Sequence, residues 1–207
     1  MLKLGKEKFL KYIKEFGFGQ LTGIDLEDET TPDLWQDTDW REIDLATASF
    51  GQGIAVTPLQ MTRAAGAIAN GGWIMEPQVV KEIIDNKGQI IKIKPKKVRQ
   101  VFDSWVSKAV TEMIVYAVDN GEAKWAKPKG YRIAGKTGTA QIPVAGHYDE
   151  KKTIASFIGF APADNPRFVM LVTLGEPTSS PWGSETAAPL FFQIAGELFN
   201  YYGISSQ

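Results

Sequence analysis

Lys136-Thr137-Gly138-Thr139, preceded by Ile133-Ala134-Gly135, sets an ammonium, two hydroxyls and one bare backbone position on four consecutive residues. On an extended segment this set suits a carboxylate, because the lysine and the hydroxyls donate charge-assisted hydrogen bonds to it. Gly138 leaves room for a peptide to lie alongside as an added strand. The backbone N–H just past that glycine, on Thr139, can hold the oxyanion of an acyl transfer. Acyl transfer also requires a nucleophile with a base beside it. A Ser-x-x-Lys segment followed by Ser-x-Asn supplies both. Ser49, Ser104, Ser107, Ser156, Ser179, Ser180 and Ser184 are followed three places on by Gln52, Ser107, Val110, Gly159, Trp182, Gly183 and Ala187. None is followed two places on by asparagine. These residues therefore hold a recognition strand without its nucleophile.

The elements that must position this strand follow from periodicity. Leu2, Phe9, Leu10, Ile13 and Phe16 predict an amphipathic helix with a solvated lysine face, stopped by Gly17 and Gly19. Ile24 to Asp44 reads as an acidic, solvated loop pinned by Trp35 and Trp40, with carboxylates including Asp37. Thr57-Pro58 opens a helix with Leu59, Met61, Ala64, Ala65, Ile68 and Ala69 inward, ended by Asn70-Gly71-Gly72. Strands over 79–85 and 89–93 flank the turn Asn86-Lys87-Gly88, and the basic cluster from Lys92 to Arg99 reads as an exposed, lysine-protected edge. A helix over 104–119 points Val106, Val110, Met113, Ile114 and Ala117 inward. Strands are predicted over 132–142, 153–160 and 167–174, then a helix over 185–202. The expected fold class is α+β: residues 1–130 mainly helical with a hairpin, and 131–207 three antiparallel strands with a closing helix.

Bulk properties narrow the function classes. The chain has 207 residues, 43% hydrophobic and 23% charged, enough for one core. A net charge of -1 gives no electrostatic signature for nucleic acid. With no cysteine there is no disulfide, thiolate zinc site or cysteine nucleophile, and neither a metal nor a cofactor is expected. The single histidine, His147, reads as a solvent-exposed loop residue. No apolar run reaches the roughly 18 residues of a membrane span, and the first residues do not form a signal peptide.

From average residue usage a Lys-Thr-Gly arises by chance in roughly one chain in twenty of this length, so its neighbours decide its meaning. Ala48-Ser49-Phe50-Gly51-Gln52-Gly53, Val56-Thr57-Pro58-Leu59-Gln60-Met61 and Ala69-Asn70-Gly71-Gly72 resemble the block ahead of the motif strand in class B penicillin-binding proteins. Ala134 to Gln141 is similar to that strand, Ser156-Phe157-Ile158-Gly159-Phe160-Ala161-Pro162 to the next, and Ala187-Ala188-Pro189-Leu190-Phe191 to the start of the closing helix.

The resemblance implies an α/β/α-type transpeptidase fold, here a C-terminal part of it, from an enzyme that cross-links peptidoglycan through an acyl-serine. It implies that Lys136 binds the substrate or drug carboxylate and joins proton relay, that Thr137 and Thr139 add hydroxyl donors, and that Gly138 keeps the strand open. The Thr139 N–H forms half of the oxyanion hole, and Gln141 makes a supporting contact. The implied partners are the D-Ala-D-Ala stem peptide, β-lactams and the N-terminal half of the same domain; without that half, inactivity and self-association or strand swapping are expected. The parent is expected to be anchored at the outer side of a bacterial membrane. The competing readings are a non-catalytic peptide- or partner-binding module of the same fold, and a class D β-lactamase or β-lactam sensor. The Ser49–Gly53 block and the acidic insert resemble class B proteins more than those relatives.

Overall fold

The computed structural model describes residues 3–34, 39–144 and 147–206, with the side chains of all of these except 143, 144 and 147–151. The expected roles of Leu2, Trp35, Asp37 and the His147 side chain lie outside the described residues.

Helix α1, Lys6–Glu15, starts later than its periodicity suggests, because Gly5 at φ 81° breaks the helical path ahead of it. It buries Leu10 against Trp40, Leu45 and Ala48. The last two belong to α2, Glu42–Ala48, which periodicity did not predict. This helix begins where Asp44 accepts from the Arg41 N–H (3.0 Å) and Nε (2.9 Å), so the carboxylate of its first turn holds the residue ahead of it.

The acidic segment is irregular and largely exposed over 24–34, with Trp40 buried as expected, but two of its carboxylates act as clasps. Asp25 accepts from the Val79 and Val80 N–H groups at 2.7 and 2.8 Å. Glu29 accepts from Thr22 N at 2.7 Å, from the Thr22 hydroxyl and from Gly23 N at 3.0 Å. Burial alone would raise the Glu29 carboxyl, but these donors and the Arg63 charge outweigh it and hold the group below its ordinary 4.5. A depressed carboxylate stabilises the fold above its unfolded pKa, and that contribution is lost as pH falls through the folded value. Glu29→Gln should therefore cost about 1–2 kcal/mol at pH 7. The gap between variant and parent in urea midpoints should shrink as pH falls through the depressed titration of the folded carboxyl.

Helix α3, Pro58–Ala69, is capped by Thr57, whose hydroxyl accepts from Gln60 N (3.1 Å) while Gln60 Oε1 accepts from Thr57 N (3.1 Å). Its buried face is Gln60, Arg63, Ala64 and Ala67, whereas Leu59 and Met61 are only half-buried. Polar contacts decide this rotation: Gln60 Nε2 donates to Gln20 O (2.7 Å) and Arg63 Nη1 to Thr22 O (3.0 Å). Strand β1, Trp73–Met75, pairs antiparallel with the later strand β4, Lys97–Gln100. Part of the basic cluster is thus a largely exposed edge strand of a two-stranded sheet. Lys97 sits 4.4 Å over the Trp73 ring, and Arg99 Nε donates to Glu15 O (2.6 Å) at the C-terminus of α1. Between them the expected hairpin forms from β2, Glu82–Ile84, and β3, Ile90–Lys92.

Helix α4, Ser104–Asn120, buries Ser107, Thr111, Val115 and Val118, one step around from the expected face, and leaves Met113 68% exposed. The Ser107 hydroxyl donates to Ile68 O, so a small residue faces α3 at that contact. Strands β5, Ala134–Val144, β6, His147–Ala161, and β7, Phe168–Gly175, form an antiparallel sheet in that order. Helix α5, Ala187–Tyr202, packs Phe191, Phe192, Ala195 and Phe199 onto the Phe157 and Val172 face. The other face carries Ala134 and Phe160, packed with Val115, Ile114 and Ile68 from α4 and α3. Helices on both faces of an antiparallel sheet make an α+β layered fold, with β5 at one edge.

Candidate active site

Pairing of β5 with β6 places Lys136 opposite Ile158, Thr137 opposite Phe157, Gly138 opposite Ser156 and Thr139 opposite Ala155. Strand alternation sends Thr137, Thr139 and Gln141 to the α5 face, and Lys136 and Gly138 to the other. The predicted residues thus meet at one strand edge from both of its faces. Lys136 is exposed, and its ammonium donates to Thr137 O (3.1 Å) and Thr137 Oγ1 (3.3 Å). Gln52 Nε2 donates to Thr139 O at 3.5 Å. The Thr137 and Thr139 carbonyls are therefore reached from outside the sheet. In an antiparallel strand a residue's N–H and C=O point the same way, so the Thr139 N–H faces the open edge as well.

Both hydroxyls are held ready to donate. Thr137 Oγ1 accepts from the Lys136 ammonium, and Thr139 Oγ1 accepts from the Gly183 N–H at 3.1 Å. With an acceptor position filled, each O–H proton is free for an incoming anion, and the ammonium has three N–H donors of its own. The edge thus gathers two hydroxyl donors, one cation and one backbone N–H, which is the complement of an extended peptide ending in a carboxylate.

Gly183 shows how closely the preceding loop is seated. A Cβ there would overlap Gly138 O and lie 2.5 Å from Ser156 O. Three bonds fix this loop: Thr153 Oγ1 to Pro181 O (2.8 Å), Ala188 N to Gly183 O (2.9 Å), and Ser184 Oγ to Glu122 Oε2 (3.0 Å). Trp182 is 55% exposed. Glu122 holds the buried Ser184 from the 3-10 turn Glu122–Ala126. Sequence reasoning gave Gln52 no role of its own, although it lies in the Ala48–Gly53 block. Gln141 lies two residues past Thr139 on the α5 face, half-buried opposite Thr153. Two cavities, about 500 and 170 Å³, border α1 and α3 and include no β5 residue; the candidate site is an open strand edge.

An antiparallel sheet layered between helices, with a Lys-Thr-Gly-Thr edge strand, defines the penicillin-recognising class of serine acyl-transferase folds. The penicillin-binding protein transpeptidase domain model matches residues 1–196, and the chain belongs to this family. It is 42% identical to stage V sporulation protein D of Bacillus subtilis over 98% of its own length and 32% of that protein's. It is 35% identical to the probable peptidoglycan D,D-transpeptidase PenA of Neisseria meningitidis, over 98% of the chain and 34% of PenA. The chain thus spans about a third of these relatives. Among solved structures, penicillin-binding protein 3 of Mycobacterium tuberculosis complexed with ampicillin matches with TM-score 0.89 at 31% identity, covering 100% of this chain and 48% of that one. The transpeptidase domain of Burkholderia pseudomallei penicillin-binding protein 3 matches with TM-score 0.86 at 30% identity, covering 100% and 60%. These relatives support class B membership.

Proposed function

We propose that this chain is the carboxylate-recognising part of a peptidoglycan D,D-transpeptidase site that also binds β-lactams. The observation that carries this is the free edge of β5, where the Thr137 and Thr139 hydroxyls each have an acceptor position filled beside the Lys136 ammonium. In this reading Lys136, Thr137 and Thr139 bind the terminal carboxylate of a D-Ala-D-Ala stem peptide or of a drug, and Lys136 joins proton relay. Gly138 keeps the strand surface low, the Thr139 N–H forms half of the oxyanion hole, and Gln141 supports the strand. The nucleophile and its base come from a Ser-x-x-Lys segment outside these residues, and the site works on the outer side of the cell membrane. Among the described residues no helix is long and apolar enough to cross a membrane.

Fluorescent penicillin tests this division of labour. The chain alone should take no covalent label, because among the described residues no serine is hydrogen-bonded to a lysine that could serve as its base. Joined to the serine-bearing segment of a relative's domain, it should be labelled on that serine. A stable adduct on the chain alone would contradict the proposal, and a folded, completed domain that stays unlabelled would favour the non-catalytic binding module.

A further inference from the structure

The β2–β3 hairpin is apolar on both faces and buried on neither. Ile83 pairs with Ile91 on one face and Ile84 with Ile90 on the other, and the four are 49%, 53%, 64% and 57% exposed in that order. A two-stranded hairpin is marginal in water without a covering layer, and exposed apolar clusters of this kind mark interaction surfaces. The hairpin and its flanks, residues 81–94, carry Lys81, Lys87, Lys92 and Lys94 against Glu82 and Asp85, in a chain whose net charge is -1. Asp85 is itself occupied, accepting from Lys87 N (2.8 Å) and Gln89 N (2.9 Å) in the turn. The surface is therefore cationic, and its complement is acidic.

The backbone adds a direction. Asp85 N donates to Gln89 O (3.1 Å) and Ile93 N to Lys81 O (3.0 Å). The 81–93, 83–91 and 85–89 pairs are therefore the hydrogen-bonded ones, and Ile90 and Lys92 turn their N–H and C=O groups away from β2. A membrane-surface element is apolar on one side and polar on the other. This hairpin has an isoleucine pair on each side and a polar tip, Asn86-Lys87-Gly88, so a protein that covers both faces fits it better. We propose that the free edge of β3 accepts an acidic, extended protein segment as a third strand, its carboxylates against Lys92 and Lys94 and its apolar side chains beside the isoleucines.

Fluorescence anisotropy of the 207-residue chain with a labelled eight-residue peptide of alternating valine and glutamate tests this. Saturable binding is expected. Lys92→Pro, which removes an outward N–H and a charge, should weaken it about tenfold, and Lys92→Ala, which removes the charge alone, about threefold. On the unaltered chain, N-methylating alternate peptide nitrogens on the pairing side should abolish binding. Equal binding of the methylated peptide would overturn strand addition. So would an absence of peptide binding, or binding to phosphatidylglycerol vesicles without peptide binding.

Discussion

Replacing Lys136 by alanine in the completed domain should slow acylation by penicillin about 10²–10³-fold, close to the loss of one partner of a charge-assisted pair or an oxyanion donor. The side chain is exposed, and among the described residues its hydrogen bonds go only to the adjacent Thr137. Its removal therefore opens no cavity and strands no buried partner, and stability should move by less than about 0.5 kcal/mol. Stopped-flow acylation and a thermal melt on one preparation separate the two effects. A large drop in melting temperature with little loss of acylation would mean that Lys136 is structural.

Gly183→Val should damage both quantities. A side chain there meets Gly138 O and Ser156 O, which are backbone atoms of paired strands and do not rotate away. The loop must lift, at about 2–4 kcal/mol, or roughly 6–12 °C in melting temperature for a chain of this size. Lifting also removes the N–H that fills an acceptor position of Thr139 Oγ1. In the completed domain acylation should then fall by more than the loss of folded protein accounts for. Melting and acylation equal to the parent's would show that the loop is not seated on the strand as described.

These two residues mark how far the sequence could be read. Lys136 and its neighbours form a contiguous motif on a long strand, so the strand and its alternation were legible. The Thr57 cap, the β2–β3 hairpin and α5 were legible for the same local reason. Gly183 and Gln52 were not, because they reach Thr139 across 44 and 87 residues, and no periodicity encodes such a contact. The inward faces of α3 and α4 were misplaced because hydrophobic spacing cannot anticipate buried Gln60 and Arg63 or the Ser107–Ile68 bond. Helix α2 was missed because its short run is set by the Arg41–Asp44 cap rather than by an apolar stripe. In the acidic segment the sequence did not reveal that Asp25 and Glu29 bind backbone N–H groups, while Glu27, Asp28 and Asp33 stay exposed as expected.

The most direct measurement is the crystal structure of the completed domain acylated by ampicillin. The drug carboxylate should lie within about 3.2 Å of the Thr137 and Thr139 hydroxyls and beside the Lys136 ammonium, with its former lactam oxygen on the Thr139 N–H. A drug bound covalently with its carboxylate turned away from β5 would contradict the assignment of this strand as the recognition side of the site.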